Sequence, residues 1–261
     1  MKAPAEPKAS ATILLVRDGA SGLEVFMVQR HHQIDFATGA MVFPGGKVDD
    51  ADSDPALAAR LDVPVSDALR SLHVAAIRET FEECGVLLAR PAGSRELVPG
   101  AQLKGIEDRH RAALNEGKRT MREVVEAEDL RLANDLLVHF AHWITPVFMP
   151  KRFDTHFYLV AAPPDQPAVH DGGESVDSVW TRPEDAAAER AAGRRTIIFP
   201  TFMQVRKLGR NNSVAAAIAA ARSEPVVTVL PQVEERGGVK MMVIPAEANY
   251  EVTAAPLADL Q

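Results

Sequence analysis

The sequence predicts an α/β protein: a mixed α/β sandwich with a helical insertion and a C-terminal β-hairpin extension. Three observations lead there. Short apolar runs rich in β-formers recur along the chain, one long amphipathic helical run closes on Gly85, and the order of elements lacks the regular βα alternation of a doubly wound sheet. At 261 residues the chain has room for one large domain with insertions or two small ones.

Taken in order, residues 1–10 read as a loose Pro/Ala/Lys tail. Two apolar runs, 11–17 and 23–30, flank Asp18-Gly19-Ala20-Ser21-Gly22, which is a hairpin signal. Met41-Val42-Phe43 is a short strand running into Pro44-Gly45-Gly46, where the backbone can approach a ligand closely. Residues 49–66 are acidic and Ala/Pro-rich, a loop with one short helix at most. A strong helix follows over about 65–84, and Gly85 stands where a left-handed C-terminal cap is wanted.

Strand resumes at 86–89. The charged, helical stretch 95–135 is too long for a connection and reads as an inserted subdomain or lid. Further strands are expected at 143–148, 157–161 and 176–181, and helices at 183–192, 201–207 and 214–221. A closing hairpin pairs 226–230 with 239–244 through Gly237-Gly238. The expected division is a tail (1–10), a main domain (11–222, with insertions at about 53–66 and 95–135) and a C-terminal extension (223–261).

A formal net charge of −7 gives no basic footprint, which argues against nucleic acid and anionic membrane as partners. Any anionic substrate must then be recruited locally, by metal ions or a few arginines. Cys84 is the single cysteine, so neither an internal disulfide nor a four-thiolate zinc site can be built. No apolar run of roughly 18 residues or more suggests a membrane span. The first eight residues lack the apolar core of a signal peptide, and Asp259-Leu260-Gln261 is not a Ser-Lys-Leu address. Cytoplasmic residence is expected.

The chemistry concentrates in residues 74–85. Each helical residue advances about 100°, so Glu83 lies roughly 40° to one side of Glu79 and Glu82 roughly 60° to the other. Val74, Ile77, Phe81 and Cys84 gather on the opposite face. Three carboxylates in one turn, undiluted by lysine, repel one another, and a divalent cation relieves that repulsion directly.

Arg78-Glu79-Thr80-Phe81-Glu82-Glu83-Cys84-Gly85-Val86, with Phe43-Pro44-Gly45-Gly46 upstream, resembles the signature of the Nudix hydrolase family. Thr80 occupies a usually apolar position. Gly46 matches the glycine that opens the signature, Asp52 takes the place of a glutamate, and an insertion separates Asp52 from Arg78. The resemblance covers about residues 11–192 and implies a Nudix-type α/β/α sandwich. It also implies that Glu79, Glu82, Glu83 and the Gly45 carbonyl hold Mg²⁺ or Mn²⁺, with Arg78 fixing the acids through charge-assisted hydrogen bonds. The reaction would be hydrolysis of a diphosphate linkage in a nucleoside diphosphate derivative. Its proton acceptor would come from the motif helix, Glu79 or Glu82, or from a later loop, where Glu174 is the candidate. Gly46, Arg30 and Arg152 are candidate substrate contacts, since guanidinium matches phosphate bidentately. His31 and His32 read as loop histidines, without partners at metal spacing.

Gly39-Ala40-Met41-Val42-Phe43-Pro44-Gly45-Gly46, the insertion inside the signature, Trp143-Ile144-Thr145-Pro146 and Arg152-Phe153-Asp154-Thr155 resemble the peroxisomal-type coenzyme A and acyl-coenzyme A diphosphatase branch and its bacterial relatives. One position departs from that branch: Asp35 stands where the bacterial motif expects an arginine. ADP-ribose, NADH and nucleotide sugars stay open as substrates. A second class of reading is a non-catalytic ligand-sensing or interaction module using residues 95–135 as its partner surface; against it, Glu79, Glu82 and Glu83 are all kept. A homodimer through those inserted helices fits either reading.

Overall fold

The computed structural model describes residues 4–30, 39–170 and 175–257; of Arg30 only the backbone is described. A run of apolar side chains with both faces buried sets the centre of the fold. In β1 (Lys8–Gly19), Ile13 and Leu15 enter one core cluster while Leu14 and Val16 enter another on the opposite face. A strand covered on both sides reads as a continuous apolar run, which is why Ile13-Leu14-Leu15-Val16 shows no alternation. The strand begins at Lys8, so the expected ten-residue tail is shorter than proposed: its last residues are paired with β8.

Around β1 stand β2 (Gly22–Arg30), β3 (Met41–Val42), β4 (Gly45–Lys47), β7 (Val138–Ile144), β8 (Phe153–Ala161), β9 (Ser175–Thr181) and β10 (Thr228–Val229). They form a mixed sheet ordered β10-β7-β8-β1-β2-β3, with β4 paired to β1 and β9 to β2. The β1–β8 and β10–β7 pairs are parallel and the rest antiparallel. Over the first face lie α1 (Asp67–Cys84), α2 (Gly100–Asn115) and α3 (Met121–Ala127). The second face is covered by α4 (Pro183–Ala191), α5 (Phe199–Leu208) and α6 (Val214–Ser223). Helices on both faces make the expected α/β/α sandwich.

Helix α1 starts at an Ser66 cap, whose hydroxyl accepts from Leu69 N–H. It stops at Gly85, where φ is +69° and the N–H returns to the Phe81 carbonyl at 3.0 Å. Val74, Ile77, Phe81 and Cys84 are completely buried against the sheet, as their spacing requires. The loop before α1 contains two 3₁₀ turns, Asp50–Ser53 and Pro55–Arg60, instead of one short helix.

The two insertions brace each other. β5 (Ala89–Pro91) pairs with β6 (Leu130–Leu132), closing a loop that carries α2 and α3. Residue 61 bridges to residue 132, and the buried Asn134 exchanges hydrogen bonds of 3.0 and 2.9 Å with the Val63 backbone. Leu103, Ile106, Met121, Val124 and Val125 join the same core as α1. The strand expected at 86–89 is confined to Ala89–Pro91; Leu87 instead bonds to the buried side chain of Gln166.

The C-terminal hairpin differs from expectation. Its arms are β11 (Gln232–Arg236) and β12 (Val239–Val243), turning at Gly237-Gly238, and β12 also pairs with β13 (Ala254–Pro256). The segment expected as the first arm supplies β10 to the main sheet instead. Met242, Ile244, Ala248 and Tyr250 are buried in the second core cluster, so residues from 223 onward complete the main core. Tyr250 fixes this packing: its hydroxyl accepts from Trp143 Nε1 at 2.8 Å and donates to Gln204 Oε1 at 2.9 Å.

Candidate active site

A cleft of about 1030 Å³ opens where α1 meets β4. One end is polar, lined by Gly45, Gly46, Lys47, Arg78, Glu79, Glu82 and Glu83. The rest is largely apolar, with Trp143, Phe148, Phe153, Phe199 and Met242 among its walls.

Arg78 organises the polar end. Its Nε and Nη2 donate to the two oxygens of Asp52, each at 2.9 Å. Nη2 also donates to the Lys47 carbonyl at 2.8 Å, and Nη1 reaches Glu79 at 2.9 Å and Glu82 at 3.2 Å. Those five bonds use all five guanidinium donors. Arg78 is therefore a fixed bracket between acids rather than a hand free to take a phosphate. Burial works against its charge, but Asp52, Glu79 and Glu82 outweigh it and hold its pKa above the ordinary arginine value.

Asp52 is itself buried and sits in the 3₁₀ turn, accepting from Asp49 N–H at 2.9 Å. The insertion that follows it is tied away by Asp54, which receives Arg122 at 3.0 Å. Asp52 thus reaches Arg78 despite the extra sequence between them. Burial raises its pKa, against the opposing influence of Arg78.

The glycines are dictated by close approach. At Gly45, φ is +154°, and a Cβ would lie 2.4 Å from the Ala11 carbonyl oxygen. Its N–H donates to Glu83 Oε2 at 2.9 Å. A Cβ on Gly46 would lie 2.4 Å from Glu79 Oε1, so only glycine leaves that carboxylate in place.

Burial is the main force on the acids. It pushes Glu79 up to about 7, with Arg78 opposing and Glu82 adding to the rise. Glu82 is raised by burial too, again against Arg78. Three acids, Asp52, Glu79 and Glu82, share the single guanidinium of Arg78, and Glu83 stands beside them on the Gly45 N–H, so the acids outnumber the cation. The cluster's donors are hard oxygens, which suit Mg²⁺ or Mn²⁺. The residues present therefore fit a divalent cation. Among the described residues, three ligand atoms mutually within 4.8 Å occur elsewhere, at His142, Asp154 and His156. In the cleft Arg78 stands between Glu79 and Glu82 while Gly45 holds Glu83.

The insertion supports this site from behind. Arg111 of α2 donates to the Glu82 carbonyl at 2.9 Å, placing a cation at the last turn of α1. Leu114, Asn115 and Gly117 reach the cleft wall.

Other expected site residues fare differently. Arg152 does not line the cleft: it is buried, and its guanidinium donates to the carbonyls of Thr145 at 3.0 Å and Ala5 at 2.7 Å. Its role here is to join the start of β8 to the N-terminal segment. Glu174, the side chain of Arg30, His31, His32 and Asp35 lie outside the described residues. Lys47 was missed. It is exposed, and with Arg78 it provides the cleft's cations among the described residues; its place next to Gly45-Gly46 was the available signal. Met242 and Leu257 had none, since nothing in their local sequence marks a wall residue.

A family model described as the NUDT19 Nudix domain matches residues 55–208. The acyl-coenzyme A diphosphatase NUDT19 of Homo sapiens is 26% identical over 240 residues, covering 75% of this chain and 63% of that protein. The Xenopus laevis protein of the same name is 24% identical over 237 residues, covering 74% and 61%. The chain thus matches less than two thirds of the length of these relatives. A crystal structure of a NUDIX hydrolase from Alicyclobacillus acidocaldarius superposes with a TM-score of 0.69 at 27% identity, covering 82% of this chain and 96% of that one.

Proposed function

The chain belongs to the NUDT19 Nudix domain family, and from that premise we propose that it is a metal-dependent diphosphatase acting on coenzyme A or acyl-coenzyme A. One observation carries the reading. The acids of a single helical turn meet a diglycine strand at the polar end of a cleft whose remaining walls are mostly apolar. Such a cleft can take a diphosphate at one end and a long, weakly polar chain along the other. The acyl-coenzyme A diphosphatases named among the relatives support the same substrate class.

Glu79, Glu82 and Glu83, with the Gly45 carbonyl, would hold Mg²⁺ or Mn²⁺. Bound there, the cation would supply charge neutralisation on the phosphoryl oxygens and activation of a water. Arg78 and Asp52 keep the carboxylates oriented, and Lys47 draws the diphosphate inward. The attacking water's proton would pass to a carboxylate of the motif helix, Glu79 or Glu82, or to Glu174. Water adds to one phosphorus as the bridging P–O bond breaks. The products are 3′,5′-ADP and 4′-phosphopantetheine or its acyl form. The lone cysteine is buried, and cytoplasmic residence is the proposed location; no helix among the described residues is long and apolar enough to cross a membrane.

The test is mass-spectrometric product identification from coenzyme A, an acyl-coenzyme A, ADP-ribose, NADH and a nucleotide sugar with Mg²⁺, beside Glu83→Gln. Adenosine bisphosphate and phosphopantetheine from the wild type alone are expected. Preferential turnover of another substrate would keep the diphosphatase and remove the coenzyme A assignment. No turnover of any would leave a non-catalytic module.

A further inference from the structure

The opposite face of the sheet carries a second cluster of ligating side chains. On β8 the even-numbered residues Asp154, His156 and Tyr158 share one face, with Tyr158 in the core under α1. On β7, His142 lies directly across from His156, and Ile144 across from Asp154. The register shifts between His139 and Ala141, so His139 stands opposite Tyr158. Without that bulge, His139 and His142 would point to opposite faces. With it, three histidines and an aspartate form one patch.

We propose that His142, His156 and Asp154 form a binding site for a transition-metal dication of the zinc type, separate from the acidic cleft. Their ligand atoms all lie within 4.8 Å of one another. The His142 and His156 rings stack 4.0 Å apart with 18° between their planes. Zinc holds nitrogen and oxygen at about 2.0–2.2 Å, so tetrahedral ligand atoms stand roughly 3.3 Å apart. Small side-chain rotations close the difference, because the backbone already pairs the two histidines across the strands.

The second nitrogen of each ring is already held. His142 Nδ1 meets Thr228 Oγ1 at 2.7 Å, and His156 Nδ1 meets His139 Nε2 at 3.1 Å. That leaves Nε2 of both rings for an ion, and His142 Nε2 is already in contact with Asp154. Fixing one ring nitrogen so that the other faces the metal is how ligating histidines are oriented. Metal binding would replace the His142–Asp154 contact, with Nε2 of the neutral ring and the Asp154 carboxylate both turned to the ion. All three side chains are partly exposed, so an ion can enter from solvent and keep a water. Two imidazoles and one carboxylate favour zinc-type ions over Mg²⁺, which prefers oxygen alone. The ion would tie β7 to β8, and through Thr228 to β10 from the C-terminal extension.

The test titrates the whole protein with Zn²⁺ by calorimetry in excess Mg²⁺. One equivalent should bind, weakened at least tenfold in His142→Gln and in His156→Gln, and unchanged in Glu83→Gln. Thr228→Val, which keeps every ligand, should weaken it several-fold. Circular dichroism checks that each variant folds. If a histidine variant does not fold, electron paramagnetic resonance of the wild type with one equivalent of Cu²⁺ decides: hyperfine splitting from two imidazole nitrogens supports the site, and oxygen-only coordination overturns it. Zn²⁺ binding that is indifferent to both histidines, or lost in Glu83→Gln, would also overturn it. Neither result depends on which diphosphate the cleft hydrolyses.

Discussion

One strand serves two kinds of chemistry on its two faces. The odd-numbered residues of β8, Phe153, Thr155 and Phe157, line the cleft, while Asp154 and His156 on the other side join the histidine cluster. The cleft gathers hard oxygen donors and holds them in place with Arg78 and Gly45. The other face draws imidazole and carboxylate atoms close together with no arginine between them. Donor type, more than the number of acids, separates a site for a hydrated hard cation from one for a zinc-type ion.

The largest effect that would break this comparison is on activity. Glu79→Gln should lower kcat on the order of 10²- to 10³-fold, the scale of losing a preorganised charge contact, while Zn²⁺ affinity stays constant. A matching loss of Zn²⁺ binding in the same calorimetric titration would merge the two sites.

Next comes Arg78→Lys. Lysine keeps the charge but cannot reach both Asp52 oxygens and two glutamates from a planar fork. Activity should fall about 10- to 100-fold, the range for removing a group that orients metal ligands. Because Asp52 is 1% exposed and Arg78 is 6% exposed, Arg78→Ala should destabilise the fold by about 3–5 kcal/mol, read by urea unfolding. Equal stability of Arg78→Ala and wild type would show that the pair is not buried as described.

A smaller effect concerns the apolar wall. Met242→Ala should reduce kcat/KM for a long acyl-coenzyme A by roughly tenfold while leaving unacylated coenzyme A near wild type, since a few methylenes of pocket contact are worth about 1–3 kcal/mol. A uniform loss on both substrates would mean that Met242 supports the core only.

A further effect, confined to acid pH, is on stability, and it probes the ground beneath the histidine cluster. Burial, reinforced by His139, pushes His73 down to about 4 from its ordinary 6.5. Between those values the unfolded chain binds the proton and the folded one does not, so stability rises with pH there. The contribution is full above about pH 6.5 and is lost as pH falls toward 4, by at most about 3 kcal/mol. Chemical denaturation of His73→Gln across that window should give a flatter profile than wild type. An unchanged slope would mean that His73 titrates as if exposed.

These sites also differ in how far they could be read from the chain. Glu79, Glu82, Glu83 and Arg78 lie within two turns of one helix, so their common face follows from helical geometry alone. Gly85 as its cap and the burial of Val74, Ile77 and Phe81 follow from the same periodicity. The mixed α/β class was legible because the apolar runs and helical stretches keep their periods, while the α/β/α layering came with the family resemblance. Asp52 could be aligned by motif, but its bidentate grip on Arg78 needed the 3₁₀ turn and the docking of one insertion on the other. Arg152 looked like a phosphate ligand because sequence gives charge without direction; folding turned it toward the carbonyls of Thr145 and Ala5.

What the chain determined by itself is local: one helix with its cap, its buried stripe and its acids, together with the diglycine before it. Tertiary structure alone decided what depends on strands meeting from distant parts of the chain. It sent residues 228–229 to the main sheet, brought Met242 and Leu257 to the cleft wall, and used a bulge to place His139 beside His156 and His142. The physical reason is that strand register and bulges belong to pairs of strands, and no single segment encodes its partner.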